Sequence, residues 1–350
     1  MATEPGASGP SDASTGSDSH GDGSTESVVE VRNLRKEYGT VVAVDDVSFD
    51  IRADEVFALV GPNGAGKTTA VEILECLRSP TSGSATVLGH DVVTDSRAVK
   101  RRIGVVPQSF HTFERLTVRE NVALIGRLYD AGLAVEDVLD RLDLDDYADT
   151  RFADLSGGYQ RRTGIAMALV GDPDVLFLDE PTTGLDPAAR RTTWRQIAAL
   201  ADAGTTVVLT THYMEEVEQL ADRAALLVDG ALEAVGTVDD LVDEYGGGVK
   251  LVVSTDGSGR RARVGGRGDH GATGTDGDVE SLLREAATEV YRNDDGDLVG
   301  LFDGRAGAQD AFGRLHDLDA TRSIDLTTAG MEEVFLRLAG GAVDERGEMR

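Results

Sequence analysis

The segment Gly61-Pro62-Asn63-Gly64-Ala65-Gly66-Lys67-Thr68-Thr69 pairs closely spaced glycines with a lysine and two hydroxyls. Glycines let several backbone N–H groups converge on one anion without Cβ clashes. A lysine followed by a threonine at the end of such a turn suits the β- and γ-phosphates of a nucleotide and a Mg2+ ion, respectively. The spacing is the P-loop pattern G-x-x-x-x-G-K-[ST]. A second concentration of chemistry is Asp179-Glu180, directly after the apolar run Val175-Leu176-Phe177-Leu178. Asp179 is a hard oxygen ligand of the kind Mg2+ takes, directly or through water. Glu180 could orient or deprotonate an attacking water. A third is Leu155-Ser156-Gly157-Gly158-Tyr159-Gln160. Ser156 is a good N-cap for a helix over Arg161 to Val170, and two glycines leave backbone N–H groups open to an anion.

These residues are useful only if the fold presents them. Val56-Phe57-Ala58-Leu59-Val60 reads as a buried strand and Ala70-Val71-Glu72-Ile73-Leu74 as a helix start, which is the strand–turn–helix setting a P-loop needs. Val175–Leu178 and Val207-Val208-Leu209 are short, fully apolar runs, suited to parallel strands covered on both faces. Val28-Val29-Glu30-Val31 alternates as a strand does, and residues 41–51 continue as short strands. From about Leu116 to Asp149 the pattern turns helical. Val249–Val253 and Leu298–Phe302 read as strands. An apolar stripe on Val279, Leu282, Leu283, Ala286, Ala287 and Val290 reads as a helix, with further helices near 307–317 and over Met331–Leu338.

The chain of 350 residues is 40% hydrophobic, enough for two cores, and carries a net charge of −29. The acids are spread along the chain, which is expected of a surface adapted to high salt, and the sign argues against a nucleic-acid partner. Cys76, the one cysteine, excludes an intramolecular disulfide and a cysteine-based zinc cluster. It reads as a small core residue on the helix after the P-loop. No apolar run reaches the ~18–20 residues of a membrane span. No Lys or Arg precedes Arg32, and no apolar core of a signal peptide is visible. A cytoplasmic location is expected, peripheral at the inner face of the membrane if a partner holds the chain there.

The order and spacing of the P-loop, the Leu-Ser-Gly-Gly segment and the Asp-Glu strand resemble the ABC ATPases, the nucleotide-binding subunits of ATP-binding-cassette transporters. The resemblance covers about residues 28–245. It implies a P-loop α/β core with an antiparallel β subdomain and a helical subdomain at about 109–168, binding ATP and Mg2+. It further implies that Tyr38 stacks on adenine and that Gly61 through Thr69 hold the phosphates. Lys67, Gln108, Glu180 and His212 surround the γ-phosphate, and Thr68, Gln108 and Asp179 serve the metal. Ser156, Gly157 and Gly158 act on the ATP of a second copy, or of a paired ABC ATPase, across a head-to-tail dimer. Asp186, in Gly184-Leu185-Asp186, lies in the loop joining the two sites. One departure stands out. The family usually has Gln directly after the two glycines, and here that position is Tyr159.

Beyond that core, the sequence is expected to add a disordered acidic tail (1–27), a C-terminal accessory α/β domain (246–340) with a flexible loop at 255–278, and a short tail (341–350). Met331-Glu332-Glu333-Val334-Phe335-Leu336-Arg337-Leu338 and Glu72 to Gly83 resemble ATPases that pair with ABC-2-type permeases of the drug, lipid or polysaccharide export group. The competing reading is a soluble ABC ATPase without transport work, such as an iron–sulfur assembly or translation-associated ATPase.

Overall fold

The structure is a computed structural model describing residues 27–109, 112–129, 132–255, 276–293, 296–316, 318 and 321–339. The expected tails at 1–26 and 341–350 and most of the expected loop, 256–275, lie outside the described residues. At their edges, Ser27 opens a strand, Thr255 ends one, and residues 276–278 belong to a helix.

β1 (Ser27–Tyr38) and β2 (Val41–Arg52) pair as a long antiparallel hairpin. The second strand is continuous where the sequence suggested two short ones. Asp46 takes a φ of 55° beside the register shift at Leu34, so a bulge absorbs the irregularity without ending the strand. β3 (Val56–Val60) is wholly buried and runs through the P-loop into α1 (Lys67–Leu74). Cys76 is not on that helix. It lies just past the end with a φ of 58°, half-buried, while the Leu77 and Arg78 N–H groups turn back onto the Glu72 carbonyl. β4 (Ser82–Val87) and β5 (His90–Asp91) complete a sheet of order β2-β1-β4-β5. α2 (Ser96–Lys100) and β6 (Ile103–Val106) follow.

The helical region holds α3 (Val118–Gly126), α4 (Val135–Arg141) and α5 (Gly157–Leu169). Thr117 and Glu120 close a reciprocal capping box at the start of α3. Then come β7 (Val175–Asp179), α6 (Pro187–Asp202), β8 (Thr206–Thr211), α7 (Met214–Leu220), β9 (Arg223–Val228), β10 (Ala231–Thr237) and α8 (Val238–Tyr245). The central sheet has the order β10-β9-β3-β8-β7-β6, parallel except at β10.

Alternation along these strands divides the interior. Ala58, Val60, Leu176, Leu178, Val207 and Leu209 face one core with α5, α6 and α7. Phe57, Leu59, Phe177 and Val208 face another, shared with α1 and the β1–β2 hairpin. Burial on both faces explains why β3, β7 and β8 read as unbroken apolar runs.

A third sheet is wholly antiparallel. It contains β11 (Val249–Thr255), β12 (Glu289–Arg292), β13 (Leu298–Phe302) and β14 (Thr321–Thr328), in the order β12-β13-β11-β14. α9 (Asp276–Ala286) and α10 (Arg305–His316) cover it over a core of its own. Val290, expected on the helix with Val279, lies on β12 because α9 ends at Ala286. The last helix, α11 (Met331–Leu338), leaves this unit. Met331, Val334 and Phe335 pack into the first core with Met214, Val217 and Leu241, and Glu218 Oε1 accepts the Met331 N–H at 2.6 Å.

Candidate nucleotide site

β3, β8, β7 and β6 are neighbours and parallel, so their C-terminal ends form one edge. The P-loop follows β3, His212 follows β8, Asp179 ends β7, and Gln108 comes two residues after β6. Segments distant in sequence are thereby brought to the crevice where open α/β sheets bind ligands.

The P-loop is fixed by close backbone approach. Gly66 has a φ of 97°, and a Cβ there would lie 2.1 Å from the Ala43 carbonyl oxygen. Gly66 is also the residue before α1, so the helix N-terminus, with its unpaired N–H groups, opens onto the loop. Lys67 is buried and donates from Nζ to the Gly61 and Pro62 carbonyls at 2.7 and 3.0 Å. Burial lowers its pKa, opposed by Glu180 and Asp179. Thr68 is exposed.

Glu180 is the centre of the polar cluster. Its Oε2 accepts from Gln108 Nε2 at 2.8 Å and Thr183 Oγ1 at 3.0 Å, and its Oε1 lies 3.2 Å from His212 Nδ1. The hydrogen bond to His212 leads the effects that hold its carboxyl below the usual range. Its backbone is left-handed at φ 45°, a conformation a non-glycine residue keeps only when its surroundings enforce it. Asp179 Oδ1 accepts the Thr210 hydroxyl. A carboxylate held ionised beside an imidazole and an amide can orient water toward a phosphoryl group on the P-loop.

The other expected site residues stand apart from this cluster. Tyr38 is 41% exposed at the hairpin end, with Lys36 Nζ 5.1 Å from its ring centroid. Asp186 caps α6, accepting from the Ala188 and Ala189 N–H groups at 2.9 and 3.0 Å, and these bonds lower its pKa. Ser156 precedes α5 at the N-cap position, but its side chain makes no capping bond, contrary to expectation. Ser156 and Gly157 are exposed, where water competes for the hydroxyl and the first-turn N–H groups. Gly158 is buried, and a Cβ there would lie 2.9 Å from that of Ala189, so α5 and α6 meet at this residue. Tyr159 turns inward. Its ring centroid is 3.8 Å from that of Tyr147, and the Arg162 guanidinium sits 4.0 Å from it.

Sequence reasoning missed Thr183, Thr210 and Arg161. Buried Arg161, on α5, donates to the carbonyls of Pro181 (2.9 Å), Pro107 (2.7 Å) and Asp179 (2.6 Å). It thus ties together the segments bearing Gln108, Asp179 and Glu180. Burial lowers it to about 10, so it stays charged near neutrality. It stands in the polar run Gln160-Arg161-Arg162-Thr163, so nothing in the sequence marked it out.

A family model described as "ABC transporter" matches residues 44–183. The chain is 37% identical over 330 residues to the daunorubicin/doxorubicin resistance ATP-binding protein DrrA of Streptomyces peucetius, covering 91% of this chain and 94% of the relative. The chain belongs to the ABC transporter ATP-binding proteins. It is therefore an ABC ATPase, an enzyme that binds and hydrolyses ATP. The Nod factor export ATP-binding protein I of Burkholderia lata is 36% identical over 318 residues, covering 89% of this chain and 97% of the relative. Among solved structures, a dimeric post-hydrolysis state of the ATP-binding cassette MJ0796 bound to ADP and Pi superposes with a TM-score of 0.54 at 29% identity. It covers 60% of this chain and 98% of that one. Among the described residues of this ABC ATPase, no helix is long and apolar enough to cross a membrane.

Proposed function

We propose that this ABC ATPase powers an exporter by working as a head-to-tail pair on a separate ABC-2-type permease. The observation that carries the reading is the contrast within the site. Gln108, Glu180 and His212 are joined by hydrogen bonds at the sheet edge, whereas Ser156 and Gly157 face outward and no hydrogen bond links them to that cluster. A second copy could bring its Ser156-Gly157-Gly158 to the phosphates held by Gly61–Thr69, and a dimer is the state recorded for the MJ0796 cassette. In the closed pair Lys67 and the α1 N-terminus stabilise phosphate charge, Glu180 and Gln108 orient water, and His212 holds Glu180. Tyr38 receives the adenine, and Asp186 lies at the junction of the two sites. Asp179, Thr68 and Gln108 would offer hard oxygen donors of the kind Mg2+ prefers. When bound, the ion neutralises phosphate charge.

Export is supported by the two relatives' names, drug resistance and Nod factor export, and by the near full-length matches. On this reading residues 28–245 are the motor and 246–340 an accessory domain. The protein is peripheral at the inner face of the membrane, and its net charge of −29 keeps it soluble at high salt. The test is purification from native membranes with identification of the co-purifying protein. A polytopic partner whose loss uncouples ATP hydrolysis from export is expected, and a soluble complex in its place would overturn the transport reading.

A further inference from the structure

Glu216, on α7, is a carboxyl the proposed mechanism does not use. It is fully buried, with 0% exposure. Its Oε1 accepts from Thr182 Oγ1 at 2.8 Å and from Trp194 Nε1 at 3.1 Å, and the Thr211 side chain also interacts with the carboxyl. A carboxyl is a costly choice for so dry a place unless what it holds is needed.

What it holds is on both sides of the Glu180–His212 contact. Thr182 is two residues after Glu180 and itself fully buried, so its hydroxyl anchors the turn that keeps Glu180 left-handed. Arg161 holds the same turn through the Pro181 carbonyl. Glu216 is also in the first turn of α7, four residues after His212, and the Tyr213 N–H is bonded to Thr211 Oγ1 at 3.0 Å. Trp194 adds α6, the helix that Asp186 caps. A parallel contact runs alongside. The Arg190 guanidinium of α6 lies 5.0 Å from the Tyr213 ring centroid, and that ring is 4.1 Å from the ring of His212.

We infer that Glu216 is a positioning residue for hydrolysis, one buried carboxyl that locks the Glu180 turn, the His212 segment and the Asp186-capped helix into a single unit. It touches no phosphate. Its effect is to set the separation of Glu180 and His212, so a shift of loop 182–186 carries both together. This rests on the roles proposed for Glu180 and His212.

Glu216→Ala in the full-length ATPase tests it. The expected result is a fall in kcat of about 10²-fold, the scale of a misplaced catalytic group, with KM for ATP changed less than about threefold. Glu216→Gln keeps an oxygen for both donors and is expected to recover kcat to within about fivefold of the parent. Thr182→Val, nearly isosteric, removes one anchor and covers the case in which the alanine variant does not fold. It is expected to lower kcat about tenfold with KM unchanged. Parent-like kcat in Glu216→Ala, or in Thr182→Val if the alanine variant is unfolded, overturns the inference. So does a glutamine variant no better than the alanine one, or a loss of KM in step with kcat. The underlying assignment fails separately, through an active Glu180→Gln. An inactive Glu180→Gln beside a normal Glu216→Ala defeats this inference alone.

Discussion

The Glu180 cluster and the Ser156–Gly158 segment serve the same proposed reaction with opposite bonding. Around Glu180 the polar groups bond to one another: Gln108, Thr183 and His212 to the carboxylate, Lys67 to the loop carbonyls. At Ser156 the helix begins without a side-chain cap and exposed to solvent. On the proposed reading, bonding inside one copy marks what is preassembled, while donors left to water mark what a second copy would complete.

The sharpest way to break this contrast is Glu180→Gln. We expect hydrolysis to fall about 10²–10⁴-fold, the usual contribution of a general base, with ATP binding retained and an ATP-dependent dimer on size exclusion. Normal turnover would remove Glu180 from the chemistry. Next comes complementation. Ser156→Arg and Lys67→Ala copies should each lose about 10²-fold or more in rate, yet regain measurable hydrolysis when mixed, because one composite site is then intact. Mixtures as inactive as their components would count against sharing between copies.

Two carboxyls sharpen the comparison by pH. Burial, with Asp179 and Glu72 nearby, pushes Glu75 up to about 8, whereas Glu180 is held down. Between about pH 4.5 and 8 the folded protein keeps a proton at Glu75 that the unfolded chain releases, so this group lowers stability as pH rises. Glu75→Gln is therefore expected to raise unfolding free energy by up to about 5 kcal/mol near pH 8.5, for a rise from 4.5 to about 8 at ~1.4 kcal/mol per pKa unit. The gain should vanish below pH 4.5, as read from denaturant melts. A pH-independent gain would show that packing, and not ionisation, is responsible. The smallest effect is at Asp186. Asp186→Ala removes the α6 cap and should cost about 1 kcal/mol of stability. If it also lowers hydrolysis more than about tenfold, Asp186 acts beyond its own helix.

Periodicity and end signals made the parallel strands legible. β3, β7 and β8 are buried on both faces and so are apolar throughout. β14 escaped because only Ile324 and Leu326 of its eight residues turn toward its core. β4, Ser-Gly-Ser-Ala-Thr-Val, escaped because its residues are small and half polar. In the site, residues inside contiguous motifs were readable. Thr210, Arg161 and Glu216 were not, since each acts through a bond to a segment far along the chain, and Thr183, only three residues from Glu180, depends on the turn between them. Arg161, for example, reaches Pro107 over 54 residues. Ser156 was misread as a working cap because the residue type is right and only the geometry is not.

The close approach of Gly66 to Ala43 has a further consequence. Ala43 belongs to the hairpin that carries Tyr38, and the Asp45 N–H bonds the Gly230 carbonyl while the Gly230 N–H bonds the Ala65 carbonyl. The tyrosine's hairpin and the phosphate cradle are thus laced into one stiff frame. If Tyr38 receives the adenine as proposed, a nucleotide reaching from one to the other would meet a caliper of set span.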